Sequence, residues 1–421
     1  MKRYLMSILL AMTLSACFAQ DSLTLEECYA LAETNYPLLK QKRLIELASE
    51  YSLGNTAKAS LPQIALGGQA TYQSEVTRIP VEMPGVEPLS KDQYRVFTEV
   101  SQPIYQGGLV TQQKRLEALI AKADTEKLQA ELYALRGRIN DLFFGILLMQ
   151  KQMELTSLKK ADLAAAVRKI EASVSNGTAI PSAASVLKAE VLRVDQRLIE
   201  ISTSADAYRT MLGLFINQSI TDDTRLAMPI IGALSKSIDR PEMRAFESQK
   251  LVIEANKSLL TARRRPKIEL FVQGGYGRPG LNMLENEFDF YYLGGLRFTW
   301  AVSALYTLKK EREILDIRQQ SLDVQKETFV FNTTLQLSQH ESDIARLQKL
   351  LEVDRDIIAL RKQVRETAEA QLEQGVITSP DFIREVNSED EARQNHALHQ
   401  IELLLAEAKY RFTSGTKSTI E

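Results

Sequence analysis

Four segments of this chain alternate apolar and polar residues with the period of a β-strand. Residues 63–76 place Ile64 and Leu66 on one face and Gln69 and Thr71 on the other. Residues 94–106, 267–276 and 289–302 repeat this alternation. The pattern predicts four strands of about ten residues, arranged as two pairs, each strand with one apolar and one polar face.

A very long helical segment follows each pair of strands. Residues 109–175 contain no proline, and residues 304–373 contain neither proline nor glycine. At 1.5 Å per residue, each would extend on the order of 100 Å. Gly177 and Gly375 end the two segments, because glycine adopts the left-handed cap conformation at little cost. Pro181 and Pro380 then begin return helices, predicted over 181–213 and 380–413. The first long segment has apolar residues at coiled-coil spacing: Leu128, Leu132, Leu135, Ile139, Leu142, Ile146, Met149 and Met153.

The two halves of the chain repeat each other. Four residues of the first half return 204 positions later in the second. They are Pro62, Ile64, Gln69 and Tyr72, which return as Pro266, Ile268, Gln273 and Tyr276. A repeat of this length indicates a duplicated domain rather than a solenoid. The sequence therefore predicts a signal peptide over 1–19, a first repeat over 20–240 and a second over 241–421. Each repeat reads helix, strand, strand, long helix, return helix, which gives a mostly helical, mixed α/β fold class.

The amino terminus carries the features of an export signal. Lys2 and Arg3 precede an apolar run over residues 5–16. Cys17 lies in Leu-Ser-Ala-Cys, a pattern that predicts lipidation, while cleavage after Ala19 fits the small-residue rule equally well. No later segment reaches the apolar length of a spanning helix. The formal net charge is −2 and indicates no nucleic-acid surface.

Amphipathic strands of this length fit the wall of an outer-membrane barrel. Only helices and closed barrels cross a bilayer, and four strands cannot close, so several chains would have to pool their strands. The alternative is a soluble sandwich with its aromatic residues in a core. Very long helices would rarely interrupt such a sheet. Aromatic residues gather in or beside the strands: Tyr72, Tyr94, Phe97, Tyr105, Tyr276, Phe288, Phe290, Tyr291, Tyr292, Phe298 and Trp300.

Over essentially its whole mature length, the chain resembles the TolC-like outer-membrane efflux protein family. The resemblance rests on the motifs Leu-Thr-Leu-Glu-Glu-Cys at 23–28, Leu61-Pro62, Ser-Gln-Pro-Ile-Tyr-Gln-Gly-Gly at 101–108, and the glycines at 177 and 375. It implies a homotrimer with a twelve-stranded β-barrel in the outer membrane of a Gram-negative bacterium and a twelve-helix tunnel across the periplasm. It further implies a passive duct for efflux or secretion whose periplasmic tip meets an adaptor protein and an inner-membrane pump.

The resemblance also assigns functional positions. Gly177, Gly375 and Ile377 would form the periplasmic tip that docks the adaptor, with Ile377 where the family usually has an arginine. Asp381 is a candidate for a pore constriction, and a helix cap is an equally good interpretation. Its counterpart in the first repeat is Ala183. The strand alternation itself predicts a set of residues that line the barrel lumen: Gln69, Thr71, Arg95, Glu99, Gln273 and Arg297.

Three patterns that resemble enzyme or ligand sites have simpler interpretations. Residues 275–280 match G-x-G-x-x-G but lead towards a second strand rather than a helix. His396 and His399 lie three apart on a helix without a third ligand in register, which favours a solvated helix face. Residues 263–265 are three arginines at a helix carboxyl end. We predict no enzyme, no cofactor and no metal. The rival hypothesis is a periplasmic coiled-coil scaffold or adhesin without a pore.

Overall fold

The computed structural model describes residues 22–77, 89–230, 232 and 234–416. The signal peptide and Cys17 lie outside these residues. The chain divides into two compact units. Of the described residues, those up to 39, within 129–241 and from 328 onwards form one unit, and those within 40–128 and 242–327 form the other.

The helices follow the predicted order, with differences at their ends. They are α1 (Leu25–Asn35), α2 (Lys40–Lys58), α3 (Leu109–Tyr133), α4 (Leu135–Ser175), α5 (Pro181–Ile216), α6 (Pro241–Arg263), α7 (Leu305–Glu373) and α8 (Ser379–Ser414). Short 3₁₀ turns span Pro37–Leu39 and Val302–Ala304. None of the helices among the described residues is long and apolar enough to cross a membrane.

The prediction of one uninterrupted helix over 109–175 is wrong, because the helix is interrupted at one residue. Ala134 separates α3 from α4, with φ −61° and ψ −20°, close to the values of a 3₁₀ turn. The interruption lies where another element packs closely. The Tyr133 hydroxyl donates to the Phe412 carbonyl at 2.8 Å, and the Phe412 ring approaches Gly137. The interruption is therefore a single tightened turn, with no proline at this point of the sequence.

The helical unit has an apolar core. Leu163 of α4, Leu187 of α5 and Phe382 of α8 belong to one cluster of buried residues, and Phe143 and Phe144 are also fully buried. Ile377 packs against the cluster from its edge. At this cluster the apolar residues of the helices are therefore covered by their neighbours, as expected of amphipathic helices that pack together.

The second unit contains one antiparallel sheet in the order β1-β2-β3-β4. The strands are β1 (Gln63–Tyr72), β2 (Asp92–Tyr105), β3 (Lys267–Arg278) and β4 (Asp289–Thr299). β1 ends four residues before the predicted 76, and β4 ends before the predicted 302, where the 3₁₀ turn begins. β2 pairs with β3, so the sheet joins strands of the first repeat to strands of the second. The register shifts between Pro103 and Tyr105 of β2, since proline cannot donate to the ladder.

Candidate functional site

The register of the sheet sorts its residues into two faces. Gln69 pairs with Arg95, and Glu99 pairs with Gln273. Directly paired residues point to the same side of an antiparallel sheet. The odd-numbered residues of β1, β3, β4 and of β2 as far as Pro103 therefore share one side, here called the polar face. The structure brings all six residues predicted to line a lumen onto this face: Gln69, Thr71, Arg95, Glu99, Gln273 and Arg297.

The even-numbered residues form the opposite side, here called the apolar face. Its side chains are largely exposed: Ile64 is 74%, Leu66 79%, Phe290 80% and Tyr292 83% accessible. Other exposed members are Val96, Val100, Val272, Tyr276, Leu296 and Phe298. An apolar surface this continuous marks contact with a membrane or with another protein. Trp300 follows β4 and donates from Nε1 to the Arg264 carbonyl at 3.1 Å.

Arg297 occupies the centre of a charged cluster on the polar face. Its Nη1 lies 2.9 Å from Oε1 of Glu99 and 2.8 Å from Oε1 of Glu269, and its Nη2 lies 3.1 Å from Oε2 of Glu99. The guanidinium also lies 4.4 Å from the centre of the Phe271 ring. Glu99 thus binds in the bidentate geometry that guanidinium groups favour. The cluster connects β2, β3 and β4.

Aromatic rings on the polar face lie against glycines of neighbouring strands. The Phe97 ring covers Gly67, where a Cβ would come within 2.6 Å of the ring, and Tyr291 covers Gly275 at the same distance. Glycine leaves the space that the rings fill. The sequence analysis places these aromatic residues in the strands but does not predict that they cover glycines. The glycines on the polar face are the sequence signal for this packing, because the register pairs Gly67 with Phe97 and Gly275 with Tyr291.

Both edges of the sheet are open within the described residues. β1 pairs only with β2, and β4 pairs only with β3. Each edge therefore presents a row of backbone donors and acceptors to a further strand.

The two hairpin turns of the helical unit share one backbone geometry. Gly177 has φ +77° and Gly375 has φ +68°, the left-handed conformation predicted for both. In the first turn the amides of Gly177 and Thr178 donate to the carbonyls of Val174 and Ser173. The same pair of bonds closes the turn at Gly375. Both helices therefore end in a Schellman motif, which satisfies their last carbonyl groups.

The two turns differ in how the return helix begins. The Asp381 carboxylate accepts from the Thr378 amide at 3.2 Å and from the Thr378 hydroxyl at 2.5 Å, and it pairs with Arg384. These hydrogen bonds, first from the hydroxyl and then from the amide, lower the pKa of Asp381 below its usual value. In the first repeat, Ile180 caps α5 without a side-chain bond, and Ala183 stands at the position of Asp381.

A chain of ion pairs joins helices of the two repeats near these turns. Lys169 Nζ of α4 lies 2.9 Å from Oε1 of Glu369 and 2.5 Å from Oε1 of Glu373, both on α7. Arg365 joins Glu369 to the buried Glu389 of α8. The partners of Lys169 raise its pKa, and Lys169 in turn lowers the pKa of Glu369. These residues were not singled out in the sequence, because pairs across helices leave no local pattern.

The solvated face expected for His396 and His399 is wrong. Nδ1 of His399 lies 2.6 Å from Oδ2 of Asp354 on α7, and His396 lies beside the same carboxylate. The Asp354 side chain is only 10% exposed. The two imidazoles therefore face a neighbouring helix. The G-x-G-x-x-G segment runs from β3 into the loop before β4 and opens no helix.

Comparison with known proteins identifies the fold. Residues 28–214 match the family model described as outer membrane efflux protein. The outer-membrane channel OprN covers 93% of this chain with 90% of its own length at 13% identity and a TM-score of 0.67. The open state of the Neisseria gonorrhoeae MtrE outer membrane channel covers 93% with 88% of its length at 17% identity and a TM-score of 0.66. The Vibrio cholerae outer membrane protein VceC covers 93% with 96% of its length at 15% identity and a TM-score of 0.64. No curated protein matches the chain by sequence.

These likenesses confirm the predicted fold class, a mostly helical chain with a small sheet. The family is one of efflux proteins, which confirms that the chain is not an enzyme. Residues 28–214 thus match the outer membrane efflux protein family, and the chain has the fold of solved outer-membrane channels.

Proposed function

We propose that the chain is the outer-membrane channel of a tripartite efflux or secretion system. In this proposal, three copies pool their strands into one twelve-stranded barrel in the outer membrane of a Gram-negative bacterium. Their helices continue as a tunnel into the periplasm. The assembly is a passive duct that receives cargo from an inner-membrane pump through a periplasmic adaptor protein. The family match and the likeness to solved outer-membrane channels support it.

The single observation that carries the proposal is a two-faced sheet with two open edges. Residues such as Leu66 and Phe290 are about four-fifths exposed on the apolar face. Burying a side chain of this size is worth about 1.5–3 kcal/mol, so a whole face left in water is costly. A bilayer covers such a face.

The open edges set a second requirement. In lipid, each unpaired backbone group costs several kcal/mol, so the sheet must close. Four strands are too few to enclose a lumen, and β4 of one copy can pair with β1 of the next. Closure by three copies leaves the polar face towards water and the apolar face towards lipid. We therefore assign Gln69, Thr71, Arg95, Glu99, Gln273 and Arg297 to the lumen.

The hairpin turns are proposed as the periplasmic tip. Gly177 and Gly375 present compact turns, and an added Cβ at either glycine would touch nothing within 4 Å. Such turns offer an uncrowded surface for the adaptor, with Ile377 beside the second. Asp381 is proposed as a constriction as well as a cap, since its carboxylate is partly exposed at the start of the return helix beside the second turn. The cap alone explains its hydrogen bonds.

One experiment separates the channel from the rival scaffold or adhesin. The full-length protein is expressed with its signal, membranes are extracted with detergent, and unheated and heated samples are compared on gels. The channel predicts a membrane-bound, heat-dissociable trimer that forms pores in planar bilayers. A monomer in the soluble periplasmic fraction, without conductance, would favour the scaffold. The matched control is the same chain denatured before reconstitution, which should give no pores.

A further inference from the structure

We infer that Arg297 sets the ion selectivity of the duct by compensating two glutamates on the polar face. The inference deepens the proposed function and rests on it, because it requires this face to line a lumen. It assigns a specificity role to one residue of the wall. No helical-unit residue takes part.

The side chain of Arg297 is held on three sides. Glu99 accepts two hydrogen bonds from it, at 2.9 and 3.1 Å, and Glu269 accepts one at 2.8 Å. The guanidinium carbon of Arg297 lies over the Phe271 ring, 4.4 Å from its centre. Glu269 is the direct cross-strand partner of Arg297, and Glu99 is reached from across β3. The charges of the cluster are therefore fixed in position rather than spread over mobile side chains.

The cluster is balanced only in the context of the whole face. One guanidinium faces two carboxylates, which leaves one excess negative charge with all three groups ionised. The remaining charged residues of the polar face are Arg95, Lys267 and Asp289. The face therefore carries as many basic as acidic groups. Such a wall favours neither anions nor cations strongly, which suits a duct that does not select its cargo by charge.

Loss of the Arg297 charge breaks this balance at one level of the wall. Glu99 and Glu269 would then stand side by side without a counter-charge, and a trimer would repeat them three times. Their potential reaches across a lumen at low ionic strength, where the screening length is about 30 Å, and is confined near the wall at 1 M, where it is about 3 Å. Cations should therefore be enriched in the lumen at low ionic strength and not at 1 M salt.

The test measures reversal potentials of reconstituted trimers in planar bilayers under a KCl gradient. We expect Arg297→Gln to raise the potassium-to-chloride permeability ratio by about threefold at low salt, with little change at 1 M. The double variant Glu99→Gln/Glu269→Gln should lower the ratio instead. Arg297→Lys retains the charge but loses the bidentate geometry, so it should keep the ratio of the unmodified chain even if the trimer dissociates at a lower temperature.

The outcomes distinguish failure of this inference from failure of the proposed channel function. Conducting trimers whose permeability ratio is the same in Arg297→Gln and in the double glutamine variant as in the unmodified chain would overturn the inference and leave the channel intact. Equal shifts in Arg297→Gln and Arg297→Lys would also overturn it, because they would report altered structure rather than charge. If Arg297→Gln fails to assemble, the double glutamine variant decides. An unmodified chain that forms no pores would overturn the proposed function itself.

Discussion

The sheet and the helical unit treat their apolar residues in opposite ways. In the helical unit Leu163 and Leu187 are fully buried between helices. In the sheet Phe290 is 80% exposed and Tyr292 is 83% exposed, and both lie on one face. Most charged residues of the sheet lie on the polar face, and Asp92 and Arg278 pair with each other at the end of the apolar face. The helical unit therefore has an apolar core within one chain, whereas the apolar face of the sheet remains exposed in one copy.

The difference shows where each region obtains its stability. Buried leucines stabilise the helical unit through contacts within the chain. The apolar face of the sheet contributes little until lipid or a further copy removes it from water. Substitutions should therefore have effects that depend on the region and, in the sheet, on the face.

The largest effect is expected in the helical core. Leu187→Ala should lower the free energy of unfolding by about 2–5 kcal/mol, because it opens a cavity among packed side chains. Leu66→Ala removes the same atoms from an exposed position and should cost far less in detergent. Chemical denaturation followed by circular dichroism measures both. Equal losses would mean that the two regions do not differ as described.

A charge on the apolar face comes next. Val272→Lys should cost about 2–4 kcal/mol near the middle of the membrane, whereas Gln273→Lys on the polar face should cost little. The same contrast is expected for Val96 against Arg95. Trimer stability in lipid vesicles measures the difference. If both faces tolerate lysine equally, their assignment to lipid and water is refuted.

The hairpin turns should show a smaller, purely backbone effect. Gly375→Val should cost about 1–2 kcal/mol, because valine disfavours the left-handed conformation and meets no neighbour within 4 Å. Gly177→Val should behave alike. Gly54 of α2 also has no neighbour within 4 Å but no left-handed conformation, so Gly54→Ala should instead stabilise by about 0.5–1 kcal/mol. Thermal melting of the trimer compares them, and a loss at Gly54 would contradict the backbone explanation.

Asp381 should give the smallest change, and one that depends on pH. Its pKa is lowered in the folded chain, so its stabilising effect is present above the ordinary aspartate pKa and is lost as the pH falls through the folded value. Asp381→Ala should lower the melting temperature near neutral pH and remove this acid dependence. Asp381→Asn keeps a capping group without the charge. If Asn leaves the melting temperature nearly unchanged but alters conductance, Asp381 narrows the pore. If conductance is unchanged and only Ala lowers the melting temperature, it is a cap.

Local patterns in the sequence predicted the helices and strands well. They did not predict contacts between residues that are distant in the sequence. The alternation in β1 to β4 fixed which residues share a face, because the strand period is two. Gly177 and Gly375 marked the turns, because few residues accept positive φ. The interruption at Ala134 lies beside Phe412 of another helix, and the ion pairs of Lys169 reach residues of α7. The strand period alone places Glu269 on the polar face, but its bond to Arg297 depends on the register of β3 against β4.

Thiol accessibility tests the central claim most directly. Gln273→Cys and Val272→Cys are adjacent in β3 but lie on opposite faces. The native Cys28 gives little background, because burial raises its pKa to about 12 and keeps the thiol protonated. With the trimer in lipid vesicles, a charged, water-soluble thiol reagent should label Gln273→Cys rapidly and Val272→Cys only after the lipid is removed and the chain denatured. Rapid labelling of Val272→Cys in lipid, with protection of Gln273→Cys, would contradict a water-filled barrel lined by the polar face.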